Sequence, residues 1–320
     1  MEGENQQMSR ILVVGAGVVG RATGKSLLTK GHKVIFIDKD IAVVKDLVEA
    51  GYEAYIPDSL APLQADISMV CVNTPPRNDG SVNLDYLIAA ITTIGTWLRH
   101  SPANKRHLVV IRSTVPPGTT RKIVLPLLEE YSACFSLCTM PEFLRAKSHE
   151  EDALNPWSIV MGELDRRSGD ALEDICRDFG APIYRVDLDT AEFIKYTSNV
   201  YNAAKISFSN ELWLLGRELG IDANRAIEIV STTAEGFWNP LYGTVGGQPY
   251  GGTCLPKDTK AFLKFATARS IQMPMLSSIL AVNDRMEELA RNGIIPKPVI
   301  EGPRWSPSPK TREDEMESKV

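Results

Sequence analysis

The sequence predicts an α/β fold: a doubly wound parallel sheet followed by an all-helical domain. Three observations lead there. Short apolar runs ("RILVV", "HKVIFID", "ADISMVCV", "HLVVIRST", "CFSLC") alternate with stretches of helical periodicity over the first 187 residues, the pattern of βαβ units. Gly15, Gly17 and Gly20 form G-x-G-x-x-G between the first apolar run and the first helical stretch, which makes the sheet Rossmann-type. After residue 188 the pattern changes to "TAEFIKYTSNVYNAAKISFSNELWLLGRELG", proline-free and with helical apolar spacing.

Taken in order, residues 1–9 are polar, lack an apolar core and read as a disordered leader. Residues 10–187 form the dinucleotide-binding domain, closed by strands in "WSIVMGE" and "APIYRV". Residues 188–293 form the helical domain, with a long connecting helix to about Gly220, a helix in "DANRAIEIVSTTA", and two more near 258–269 and 275–291. The long helix has a surplus of aromatic and aliphatic residues. They form either a homodimer interface or packing within one chain. Residues 294–320 are proline-rich and then charged, a composition that predicts disorder.

The chain has 320 residues, 43% hydrophobic and 23% charged, with a net charge of −5. That suits a globular protein with a substantial core and argues against nucleic acid or an anionic membrane as partner. No apolar run reaches transmembrane length. Five cysteines without an export signal read as reduced, cytoplasmic thiols. Cys134 and Cys138 share a strand face, either as a disulfide or as two buried small side chains. The four histidines are scattered, so no metal site is expected, and acid–base chemistry falls to Lys, Asp or Glu.

The glycine triplet carries a dinucleotide. Gly15 permits the turn, Gly17 lets the backbone approach a pyrophosphate, and Gly20 lets helix and strand pack closely. Val18 and Val19 open the helix whose N-terminus favours the phosphate charge. Asp38 ends the second strand and suits ribose hydroxyls while repelling a 2′-phosphate, so the cofactor is NAD; Lys39 beside it is the one contrary sign. Thr74 in "VNTPP" and Thr114 in "STVPPGTT" end later strands at the sheet's carboxyl edge and are cofactor contacts.

Three clusters carry chemistry. In "GGTCLPKD", Gly251 and Gly252 make a turn with room for a ligand, and Lys257 and a helix starting near Asp258 would favour a Cys254 thiolate. Cys254 is then a nucleophile that captures an aldehyde, or an inert cysteine in a Gly-Pro turn. In "EFIKYTSNVYN", Lys195 and Asn199 lie four residues apart on one helix face. Lys195 is a base for a substrate hydroxyl, or a solvated surface residue. The third cluster, "MPEFLRAKS", puts Glu142, Phe143 and Leu144 at the ligand edge of the sheet, where they would bind substrate.

Together "GAGVVG", "VNTPP", "STVPPGTT", "PEFLR", "AEFIKYTSNVYNAAKISFSNEL" and "GGTCLPKDT" resemble, in order and spacing over residues 10 to 290, the UDP-glucose/GDP-mannose 6-dehydrogenase family. The resemblance implies an NAD-binding domain, a helical dimerisation domain, and oxidation of a nucleotide-sugar CH₂OH to carboxylate with two NAD⁺. It implies Cys254 as nucleophile, and Lys195 and Asp258 in acid–base and water-orienting roles. Asn199 would hold the sugar and oxyanion, Thr114 would touch cofactor or water, Lys257 would lie on the cofactor side, and Gly251 and Gly252 would lie on the substrate side.

Three departures qualify this. Ala146 stands where the family carries a glutamate associated with activating the hydrolytic water. No strand–helix pattern follows Asn292, where the family carries a further nucleotide-binding domain. The "EGFWNPLYGTVGGQPY" loop has no arginine to meet a phosphate. The substrate is therefore a nucleotide sugar, nucleotide, nucleoside or sugar, oxidised to aldehyde or carboxylate. Two alternatives stand beside this: a two-electron β-hydroxyacid-type dehydrogenase using the Lys/Asn pair, and a catalytically degenerate NAD-binding partner subunit.

Overall fold

The computed structural model describes residues 8–59, 65–99, 106–131 and 135–295. The leader's first seven residues, Cys134, and the tail from residue 296 lie outside them. Two compact units divide between Asn199 and Val200.

The first unit is built on eight strands: β1 (Arg10–Val14), β2 (Lys33–Ile37), β3 (Ala54–Tyr55), β4 (Ile67–Val70), β5 (His107–Ile111), β6 (Phe135–Thr139), β7 (Ile159–Glu163) and β8 (Ile183–Asp187). They lie side by side in the order β3-β2-β1-β4-β5-β6-β7-β8. The strands are short and rich in Val and Ile because both faces are covered, the usual condition of a parallel sheet. β5 and β6 bury every residue. The expected parallel sheet needs one amendment. β7 runs antiparallel to β6, with Cys138 opposite Glu163 and Thr139 opposite Gly162, because the 140–158 segment carries the chain back across the edge at which β6 ends.

The intervening helices are α1 (Val18–Thr29), α2 (Ile41–Glu49), α3 (Asp85–Leu98), α4 (Leu125–Tyr131), α5 (His149–Leu154) and α6 (Arg166–Cys176). Strand alternation sorts the core into two layers. One joins Val13, Phe36, Met69, Val110 and Cys138 with Leu27 of α1 and Leu172 of α6. The other joins Leu12, Ile35, Val70, Ile111 and Leu137 with Ile91 of α3 and Leu128 of α4. The helix α1 crosses β2 closely because Gly24 leaves room for the Phe36 ring, whose Cε1 lies 2.3 Å from where a Cβ would stand.

Beyond β8 the chain is helical: α7 (Leu188–Leu219), α8 (Ala223–Thr233), α9 (Glu235–Trp238), α10 (Cys254–Thr267) and α11 (Pro274–Arg291). The division between units falls within α7. In the second unit Leu215, Ala266, Met273 and Leu276 form a small core, and buried Glu211 caps the start of α11, accepting from Met275 N–H at 2.7 Å and Leu276 N–H at 3.0 Å. The helix expected from about residue 258 begins four residues earlier, at Cys254. Pro256 does not oppose this, since the first turn of a helix has no use for the missing N–H.

Candidate active site

At the sheet's carboxyl edge, β1 ends where Gly15 takes a φ of +93°, a conformation costly for any residue with a Cβ. A Cβ at Gly20 would stand 1.9 Å from the Gly15 carbonyl oxygen, whereas one at Gly17 would meet nothing within 4 Å. The first and third glycines thus serve packing, and the second leaves a vacant cradle. Gly17 is also the N-cap of α1, with no side-chain hydrogen bond there, so the opening turn with Val18 and Val19 keeps its N–H groups for an anion. Asp38 Oδ2 accepts from Ala16 N–H at 2.7 Å and Oδ1 from Asp40 N–H at 3.0 Å, which fixes the acid beside the turn. Lys39 is drawn away, its Nζ 3.7 Å from the Tyr86 ring centre. These residues fit a dinucleotide's pyrophosphate and ribose.

The two threonine turns meet: Thr74 Oγ1 donates to the Thr114 carbonyl at 2.7 Å. The second turn is also tied to α7. Buried Glu192 accepts from Gly118 N–H at 2.6 Å and Thr120 N–H at 2.8 Å, and burial pushes its carboxyl above the usual range despite those bonds. One turn further along α7, Lys195 is 6% exposed. Its Nζ donates to Glu142 Oε1 at 3.1 Å and lies 5.4 Å from the Phe143 ring centre. Lys195 is therefore a buried, paired lysine rather than a solvated one. Glu142 has both oxygens engaged, since Oε2 accepts from Leu144 N–H at 2.6 Å. Asn199, one turn on from Lys195, is exposed.

In the second unit Gly251 and Gly252 lie just before α10, and Cys254, Lys257 and Asp258 are exposed residues at its start. Gly252 takes a φ of +79°, and Cys254 is the first residue of α10. Of the four described cysteines, Cys71, Cys138 and Cys176 are buried and Cys254 is exposed; none is in a disulfide. Burial pushes the Cys71 thiol up to about 11 and the Cys176 thiol up to about 12, which makes both inert. Lys257 Nζ stands 3.2 Å from Asp258 Oδ1. The loop before the turn is held by Asn283 Oδ1, which accepts from Tyr250 N–H at 2.7 Å. Among the described residues no cluster of His, Cys, Asp or Glu could hold a metal, and no helix is long and apolar enough to cross a membrane.

Comparison with known proteins decides the family. Residues 53–180 match the NAD-binding domain of the UDP-glucose/GDP-mannose dehydrogenase family, and residues 189–285 match its central domain. GDP-mannose 6-dehydrogenase of Pseudomonas aeruginosa is 34% identical over 306 residues, covering 88% of this chain and 70% of that one. The chain belongs to the UDP-glucose/GDP-mannose dehydrogenase family. As a family member it is similar to UDP-glucose 6-dehydrogenase YwqF of Bacillus subtilis, at 32% identity over 302 residues, 87% of this chain and 67% of that one. Its fold matches the crystal structure of a ternary complex of GDP-mannose dehydrogenase from Pseudomonas aeruginosa, with a TM-score of 0.81 at 32% identity, over 90% of this chain and 71% of that one. The chain is thus an NAD-dependent dehydrogenase.

Two groups in this dehydrogenase carry weight that their sequence context does not announce. Asp152 of α5 is a buried hub, taking Arg145 Nη2 at 2.6 Å on Oδ1, and Arg145 N–H at 2.8 Å and Ser148 Oγ at 3.1 Å on Oδ2. It closes the "PEFLRAKS" segment, and its neighbours Glu150 and Glu151 give no hint of which acid turns inward. Glu192 sits three residues before Lys195; its one signal was an acid on the apolar side of a helix.

Proposed function

We propose that this protein oxidises the primary alcohol of a nucleotide sugar through an acyl intermediate on Cys254. When bound, NAD⁺ accepts one hydride at each of the two oxidations. Gly17, the opening turn of α1 and Asp38 would hold the dinucleotide, in the turn that Gly15 and Gly20 shape. Lys195 Nζ passes a proton to its partner Glu142 Oε1, and the neutral amine then takes the proton of the substrate hydroxyl. The Cys254 sulfur adds to the aldehyde carbon, and the adduct, having lost a second hydride and its hydroxyl proton, is a thioester. Water attacks that carbonyl, the thiolate leaves and a carboxylate is released. Asp258 and Asn199 orient the water and the oxyanion.

The observation that carries this reading is the position of Cys254, an exposed thiol at the first turn of a helix. Relatives that act on GDP-mannose and UDP-glucose supply the substrate class. Hydrolysis is the slow step, because the 140–148 segment offers no free carboxylate: position 146 is alanine and Glu142 has both oxygens engaged. The test is intact-protein mass spectrometry after incubation with NAD⁺ and GDP-mannose or UDP-glucose. An acyl adduct on Cys254, absent from Cys254→Ala, is expected together with NADH. Aldehyde formed with one NADH per substrate, at an unchanged rate in Cys254→Ala, would replace this mechanism with a two-electron one. Acid formed at an unchanged rate by that variant would remove Cys254 from the second oxidation, and no NADH from either nucleotide sugar would exclude both as substrates.

A homodimer accompanies this reading. Val200, Tyr201 and Ile206 of α7, Phe237 and Trp238 of α9, and Phe262 and Phe265 of α10 are exposed, more apolar surface than a monomer's helical unit ordinarily leaves to water.

A further inference from the structure

The layer of the sheet that faces α1 contains a charge with no partner among the described residues. Leu108 and Val110 of β5 pack in that layer, so the pleat sends Arg112, next in the same register, to the same side. Its charge acts there on the buried Cys71 and Cys176 thiols. The Arg112 side chain makes no hydrogen bond or ion pair among the described residues, and its Nε is buried. It lines a cavity of about 100 Å³ between α1, the strand ends and the 140–158 segment.

The other charges on the cavity wall are matched. Glu142 is paired with Lys195 at 3.1 Å and Asp152 with Arg145 at 2.6 Å, so the wall keeps one uncompensated positive charge. Opposite on α1, Thr23 Oγ1 is buried without a partner of hydrogen-bonding geometry; the neighbouring Cys71 thiol is a weak donor and acceptor. Arg112 as a whole is half-buried, so the costly group is its buried Nε–H, left without an acceptor, and the planar fork of its guanidinium matches a carboxylate. The cavity has room for a formate- or acetate-sized ion.

The geometry points to a binding site for a small carboxylate-type anion in this cavity, held by the Arg112 fork and the Thr23 hydroxyl. The site belongs to the first unit and does not depend on the chemistry proposed for Cys254. It shares Glu142 as a wall with the Lys195 pair, so occupancy alters the surroundings of that pair.

The experiment is thermal unfolding of the full chain in increasing sodium formate or acetate, at constant ionic strength set with sodium chloride. At the ceiling of affinity per heavy atom that the smallest ligands reach, formate binds no tighter than about 0.5 mM and acetate no tighter than about 40 μM. Ligand at about a hundredfold excess over its Kd should raise the melting temperature by about 5 °C, the rise continuing with the logarithm of ligand concentration. Arg112→Gln should weaken the response about tenfold or more, the loss of charge-assisted hydrogen bonds. Thr23→Val and Arg112→Lys should each weaken it a few-fold, and these two decide if Arg112→Gln does not fold. No rise with either anion beyond that of the sodium chloride control, or equal responses in wild type and all folded variants, overturns the proposal. So does an equal rise with glucuronate, which would move the site to one able to hold a sugar acid.

Discussion

In the first unit β5 and β6 bury all of their residues, whereas Val200, Tyr201 and Ile206, just past the division in α7, are 65%, 63% and 62% exposed. The same helix supplies Leu188, Ala191 and Lys195, all buried, before the division. The difference is not one of composition, since both stretches are rich in apolar residues. It lies in what is available to cover them. The sheet offers a wide apolar face that strands and helices close together. The second unit offers a small core of Leu215, Ala266, Met273 and Leu276 and leaves whole helix faces open. Chemistry divides in parallel: the dinucleotide turn and the buried lysine–glutamate pair belong to the first unit, the exposed thiol to the second.

The largest effect expected is on the first unit's share of the chemistry. Lys195→Met should lower the rate of NADH formation by about a thousandfold, within the range of a lost acid–base group. NAD affinity measured by calorimetry should stay the same, because no residue of the glycine turn is touched. A variant that kept its rate would break the assignment of hydride chemistry to this unit. A variant that lost NAD binding would show that the lysine organises the cofactor edge rather than the alcohol.

Next in size is the contrast between two glycines three residues apart. Gly20→Ala puts a Cβ 1.9 Å from the Gly15 oxygen, backbone that cannot step aside, and should destabilise the first unit by about 2–3 kcal/mol in urea unfolding. Gly17→Ala meets nothing within 4 Å, so stability should barely change while NAD binding weakens about tenfold as the cradle fills. Equal losses of stability at both positions would remove the argument that Gly17 is kept open for a ligand.

The exposed half of the comparison is tested by charge. Val200→Asp with Ile206→Asp puts two carboxylates on the open face of α7 and should convert a dimer to a monomer in light scattering, with little change in the first unit's melting. A wild-type protein already monomeric at micromolar concentration would refute the dimer. It would also leave the apolar surface of α7, α9 and α10 unexplained by self-association.

Much of this architecture was readable from the sequence for physical reasons. Short Val/Ile runs between helical stretches can hardly be anything but a covered sheet, and a glycine triplet in that setting has few other uses. The reversed direction of β7 was not readable, because side-chain alternation is the same for parallel and antiparallel neighbours. The start of α10 was misplaced because Pro256 looks like a boundary, although a first turn accepts proline. The Lys195–Glu142 pair joins residues 53 apart, and nothing local in either segment encodes that distance. Arg112 could have been found: a lone charge in register with Leu108 and Val110 is anomalous on an inward face.

The smallest effect concerns two buried carboxylates of the first unit whose environments act in opposite directions. Hydrogen bonds from the Arg145 side chain, with that residue's N–H and the Ser148 hydroxyl, hold the Asp152 carboxyl well below the usual carboxylate range, while burial raises that of Glu192. A depressed value means that the ionised form favours the fold. Asp152 therefore contributes fully above the ordinary aspartate value of about 3.9, and its contribution is lost as pH falls below that toward the folded-state value. Arg145 keeps its charge throughout, so Asp152 alone sets the window. Asp152→Asn should be less stable than wild type at pH 7, and the gap should narrow as pH falls from about 5 toward 2. Glu192, with its raised value, contributes in the opposite sense, most below the ordinary glutamate value and least once pH has risen through its folded-state value. Urea unfolding at pH 7, 5 and 3 reads the Asp152 gap directly. A gap that stayed constant would mean Asp152 acts by shape and neutral hydrogen bonds, and that the Arg145 clasp over α5 owes nothing to charge.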